Sequence, residues 1–180
     1  EIYDVFDKNG KKIGTATWTQ VHTKGLIHKT VAALVFRDTS RREILLQKRG
    51  SKMAQHPGFW QHSVGGHIIS GDTPDIGIKK ELQEELFVNT TLPNIKLEKI
   101  TSFFNSDFLN NNEILYVYEI IYSGPFFIDK EEIEDIKLVG VNEILDDMQQ
   151  NPEKYTPASK NIVKEYNKTT NLHNTGKNRN

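Results

Sequence analysis

The chain has 180 residues, 36% hydrophobic and 26% charged, with a net charge of −1, the make-up of one globular domain with a sizeable core. The near-neutral balance excludes a global basic excess that would point to nucleic acid, and leaves only local basic patches open. The lack of cysteine excludes disulfides, thiolate metal sites and a cysteine nucleophile, and it agrees with a reducing cytoplasm.

Ile2 to Phe6 and Lys12 to Thr17 read as two short strands around Asp7-Lys8-Asn9-Gly10, whose Asn-Gly pair suits a tight hairpin turn. Gln20 to Leu26 is polar, reads as irregular, and holds His22; His28 stands at the entry to a strong strand, Val31 to Phe36. That run of six apolar residues is the longest in the chain and far too short to span a bilayer. Glu43 to Arg49 reads as its hairpin partner, and Phe59 to Val64 as a short strand ending at Gly65-Gly66. Asp72 or Thr73 caps a central helix with Pro74 in its first turn. Lys96 to Phe104, Glu113 to Tyr122 and Ile136 to Val141 follow as strands, with an asparagine turn at Asn110-Asn111-Asn112. Helices are expected from Asn142 to about Gln150 and from Thr156 to Tyr166, before a frayed polar tail. No signal peptide is visible, and the first residue is Glu1 rather than methionine, so the true start is expected upstream. Mixed strands and helices in this order predict an α/β (α+β) sandwich.

The central helix carries the chemistry. At about 100° per residue, Glu81, Glu84 and Glu85 fall within roughly a third of its circumference. Ile78, Leu82 and Leu86 run along the adjoining arc and can pack into a core. Like charges one turn apart repel, and a hard divalent cation, which takes oxygen ligands, relieves that repulsion. The competing reading is a solvated acidic face.

The residues around this helix resemble the Nudix box: G, five residues, E, seven residues, R, E, aliphatic, any, E, E, any, G, aliphatic. Laid on this chain from Gly66, six of nine specified positions agree: Gly66, Glu81, Leu82, Glu84, Glu85 and Val88. Asp72, Lys80 and Phe87 stand where the pattern has Glu, Arg and Gly. Lys80 keeps the charge of arginine without its planar fork. DVFDKNGKKIGTAT, LIHKTVAALVF, LLQKR, PGFWQHSVGGHI and YTPASKNIVKEY look like a Nudix subgroup close to isopentenyl-diphosphate isomerase.

The resemblance implies a Nudix-type α/β/α sandwich, with a mixed sheet and the box as loop-helix-loop. It implies one domain over residues 1–168, with residues 1–20 as an N-terminal hairpin and 169–180 as a flexible tail. It implies Mg²⁺ or Mn²⁺ on Glu81, Glu84, Glu85 and Gly66, with Lys80 pairing a box carboxylate. The implied activity is hydrolysis of a diphosphate linkage in a small molecule, with no nucleic acid and no membrane. Candidate bases are Glu113, Glu131, Glu132 and Glu134, and Lys48, Arg49 and Trp60 are candidate substrate contacts. Phe59, Phe103, Phe104 and Phe108 could stack on a base or belong to the core. His22, His28 and His67, with Glu113, match a second metal site of the isomerase, where Asn111 replaces another acid. Gly65 stands where the isomerase has its cysteine and offers no acid, which disfavours isomerisation. An isomerase-like enzyme and a non-catalytic nucleotide-binding module remain the alternatives. A symmetric homodimer is common at this size.

Overall fold

The computed structural model describes residues 1–107 and 110–170; Phe108 and the tail from residue 171, with His173, lie outside them. Strands β1 (Ile2–Phe6) and β2 (Lys12–Thr17) form the expected antiparallel hairpin, and Asp7 Oδ1 accepts from the N–H groups of Asn9 and Lys11 at its turn.

Trp18–Lys24 is helix α1, where an irregular segment is expected. The cause is local. Thr17 accepts from the Gln20 N–H while the Gln20 side chain accepts from the Thr17 N–H, a capping box. Gly25 then stops the helix in the left-handed region at φ 60°. Seven residues carry too little apolar periodicity to announce a helix, but Val21 and His22 are buried by it.

Seven strands form the main sheet among the described residues. β3 (His28–Phe36) lies at its centre and pairs in parallel with β8 (Asn112–Ile121) along its whole length. On its other edge Thr30 to Ala33 pair antiparallel with β6 (Val64–His67). β4 (Glu43–Arg49) touches β3 only at Phe36↔Ile44. The expected β3–β4 hairpin is thus nearly absent. β4 instead pairs along its length with β9 (Ile133–Gly140), and at Gln47 and Lys48 with β5 (Trp60–Gln61). The single strand expected at Phe59 to Val64 is therefore two strands in different parts of the sheet. β7 (Glu98–Ser106) runs two residues later than expected, because Asn105 and Ser106 continue pairing with Glu113 and Asn112.

Alternation along β3 builds two cores. Ala32, Leu34 and Phe36 pack with Leu115, Val117 and residues of α3 (Val141–Gln150) and α4 (Pro157–Thr170), including Ile144, Ile162 and Tyr166. Val31, Ala33 and Val35 pack with Tyr118, Ile120 and the central helix through Ile78, Leu82 and Leu86. Helices thus cover both faces, which is why β3 reads as a continuous apolar run. α4 runs four residues past the expected end at Tyr166.

Candidate metal centre

Helix α2 (Pro74–Glu81) starts at Thr73, whose hydroxyl accepts from the Ile76 N–H, with Pro74 in its first turn. The helix then widens into a π turn over Leu82–Leu86, closed by the Phe87 N–H on the Leu82 carbonyl. Such turns recur at functional sites and re-aim the side chains they carry. The buried arc of Ile78, Leu82 and Leu86 fixes the helix on the sheet.

Glu85 is buried, and its Oε2 accepts from Gln47 Nε2 at 2.8 Å and from the Gly65 N–H at 3.3 Å. The carboxyl group of Glu81 lies directly against Gly66, in the space that a Cβ there would fill. Glu84 is exposed at the rim. Burial, then the charges of Glu85, Glu84, Glu132 and Glu1, push the Glu81 carboxyl up to about 9. Burial pushes Glu85 up to about 8, against the lowering bonds from Gln47 and Gly65. Acids so crowded and desolvated resist ionising alone, and a cation is what their charged forms lack. This donor set of hard oxygens fits Mg²⁺ or Mn²⁺. Lys80 Nζ pairs with Asp72 Oδ2 at 2.6 Å, so two residues that depart from the box pattern meet each other.

Glu81, Glu84 and Glu85 line one cavity of about 410 Å³. Of the candidate bases, Glu132 and Glu113 line it, while Glu134 is bound to Lys48 at 2.7 Å. Arg49 lines the cavity, held by the Gln55 carbonyl and by Gln61 Oε1, both at 2.9 Å. Two substrate candidates lie apart from this cavity. Lys48 is drawn off by Glu134, and Trp60 packs on the main core under Lys137 Nζ, 4.2 Å from its ring centre. Neither lines the cavity. Phe103 packs on the core and Phe104 is exposed outside the cavity.

The same cavity reaches a cluster of three imidazoles. His22, His28 and His67 come from α1, β3 and β6, and they bring ligand nitrogens within 4.8 Å of one another. His22 Nε2 lies 3.1 Å from His67 Nε2. The His28 Nδ1–H donates to the Leu26 carbonyl at 3.0 Å, which leaves buried Nε2 without a partner among the described residues. A backbone carbonyl fixing one ring nitrogen while the other stays free is how ligating histidines are oriented. Burial holds all three below the ordinary histidine range, His28 at about 4 and His67 at about 3, so they are neutral and able to coordinate. Glu113 stands opposite His28 in the β3–β8 register but outside the three-nitrogen group; its oxygens accept from Asn105 Nδ2 and Asn111 Nδ2 at 2.8 and 2.7 Å.

Sequence reasoning passed over Gln47, His62 and Trp18. His62 is buried, pushed down to about 3 chiefly by burial, and fixed by Ser159 Oγ, which lies 2.9 Å from both its backbone nitrogen and its Nδ1. Its Nε2 would lie 2.5 Å from a Cβ at residue 65. No periodicity or motif marks these residues; only tertiary contact assembles them.

An α/β/α layer order, a glycine against a helical glutamate and two further box acids beside it together define a Nudix fold. The NUDIX domain model matches residues 26–164, and the chain belongs to that family. It is 34% identical over 172 residues to Nudix hydrolase 3 of Arabidopsis thaliana, covering 89% of this chain but only 22% of that protein. It is 29% identical over 167 residues to isopentenyl-diphosphate Delta-isomerase 2 of Photorhabdus laumondii subsp. laumondii, covering 91% of this chain and 90% of that one. DR0079 from Deinococcus radiodurans has the same fold at a TM-score of 0.77 and 18% identity, over 94% of this chain and 99% of that one. Among the described residues no helix is long and apolar enough to cross a membrane.

Proposed function

We propose that this chain is a divalent-metal-dependent hydrolase that cleaves a diphosphate linkage, in a nucleoside di- or triphosphate or another nucleoside-diphosphate-linked compound, by attack of water on phosphorus. One observation carries this reading: Glu81 against Gly66 and Glu85 on the Gly65 N–H, raised to about 9 and about 8, share the wall of one cavity. Bound Mg²⁺ or Mn²⁺ on Glu81, Glu84, Glu85 and Gly66 would neutralise the diphosphate and acidify a bound water. The chain's own groups do the rest. Gln47 and the Gly65 N–H hold Glu85 in one orientation. The Lys80–Asp72 pair ties the helix to the loop before it. Arg49, a half-buried guanidinium on the cavity wall, orients phosphate oxygens. Glu132 lines the same wall, and burial raises its carboxyl, which suits it to take the proton from water.

The histidine cluster supports a second divalent site on His22, His28 and His67, with Glu113 next to it. That site and the likeness to an isomerase favour a second reading, double-bond isomerisation. Residue 65 argues against it, since glycine brings no acid and the His62 ring stands where a side chain there would go. Incubation of the protein with Mg²⁺ or Mn²⁺ and a panel of diphosphates is expected to release monophosphate or phosphate. Glu84→Gln and Glu85→Gln should abolish release; full turnover in either variant overturns the reading. A shifted double bond in isopentenyl diphosphate, with no phosphate released, would favour the second one.

A further inference from the structure

Six large hydrophobic residues stand exposed among the described residues, and of these Trp18 alone lines the cavity. It is the first residue of α1, inside the capping box that Thr17 and Gln20 close around it. A capped helix start presents its side chain from a rigid backbone. The indole packs against His22, ring centres 4.3 Å apart and planes tilted by 53°, and is still 41% exposed. A second, independent feature lies in the same cavity. Thr30 Oγ1 and Asn111 Oδ1 are buried, at residues 4% and 8% exposed, and have no hydrogen-bond partner among the described residues. The Asn111 amide nitrogen is committed to Glu113, so its oxygen is left as a bare acceptor.

An alkyl tail would leave both oxygens unpaired, and unpaired buried polar groups weigh against such a ligand. A planar heterocycle covers an indole and brings N–H donors; its sugar brings O–H donors. We propose that Trp18, Thr30 and Asn111 form the subsite for the non-phosphate part of the substrate, in which Trp18 stacks a heterocyclic base and the two oxygens accept its hydrogen bonds. The assignment rests on the hydrolase reading, because it places the phosphates at the acid end of the same cavity.

The test uses a Trp60→Phe background, which leaves Trp18 as the one indole. The probes are ADP, inorganic pyrophosphate and isopentenyl diphosphate, each with Mg²⁺. ADP is expected to quench the fluorescence saturably; the other two are not. By calorimetry on the otherwise unaltered chain, Trp18→Leu should raise the Kd of ADP about tenfold while that of pyrophosphate changes less than about twofold, as loss of one base stack implies. Trp18→Phe should recover most of that loss, since it restores a π face. Absence of quenching, or an equal loss for ADP and pyrophosphate, overturns the assignment. Selective quenching without any hydrolysis sinks only the hydrolase reading. Hydrolysis without quenching or selectivity sinks only the subsite.

Discussion

Two adjacent glycines should fail in opposite ways when changed to alanine. A Cβ at Gly65 would lie 2.8 Å from the Val31 carbonyl oxygen and 2.5 Å from His62 Nε2. The first belongs to the backbone of β3, which is fixed on both edges by β6 and β8. The second belongs to a ring pinned by Ser159. Neither obstacle can swing aside, so Gly65→Ala is an overpacking change costing about 1–3 kcal/mol. For a chain of this size that is a drop in Tm of roughly 2–12 °C. The nearest atoms to a Cβ at Gly66 all belong to the tip of the Glu81 side chain, which can rotate away. Gly66→Ala should therefore shift Tm by no more than about 2 °C in metal-free buffer. It should instead lower Mn²⁺ affinity by about 10–100-fold, the range for disturbing a group that orients a ligand. Thermal melts in chelator and Mn²⁺ titration calorimetry separate the two effects. If Gly66→Ala binds Mn²⁺ as the parent does, the Glu81 carboxyl is not where the metal goes.

The raised carboxyls have a sign that can be checked. From about pH 4.5, where these groups titrate when unfolded, to about pH 8–9, where they titrate when folded, the metal-free native protein holds more protons than the unfolded chain. Its stability should fall as pH rises through that window, reach a floor above it, and fall less steeply in Glu81→Gln; urea melts in chelator read this directly. Gln47→Leu removes the strongest bond holding the charged form of Glu85. It should therefore move the pH dependence of Mn²⁺ binding upward; an unmoved profile would show that Gln47 does not tune the acid. Ser159→Ala strips the buried His62 of its partner at both nitrogens and should cost about 1–3 kcal/mol by chemical denaturation. A neutral result would mean that the ring finds another partner.

The sequence makes plain those parts of the molecule whose causes are local. β1, β2 and β4 have the expected limits because alternation and an Asn-Gly turn define them residue by residue. The acids on the central helix are legible because one helix carries all three. Pairing between distant strands is not legible: Glu43–Arg49 looks like a hairpin partner of β3 until β9, some ninety residues on, takes its edge. The histidines are recognised by likeness, yet the element holding His22 is taken for a loop, because a capping box is a weak signal without apolar periodicity. Lys48 and Arg49 are neighbours in sequence, but strand alternation sends one to Glu134 and the other to the cavity. Which of the two faces the site depends on the sheet register, a tertiary fact.

The π turn over Leu82–Leu86 also governs how this chain tolerates a change of length. A π turn is an α turn carrying one more residue. Deleting Gln83 would let the helix rewind to ordinary pitch while Glu85 stays on Gln47 and Leu86 keeps its seat on the sheet, because the wide turn is what absorbs the surplus residue. A deletion from the ordinary α turns before it has no such slack and would revolve every later residue by about 100° about the axis. The wide turn is thus the one place where this helix can lose a residue without turning its acids away from their partners.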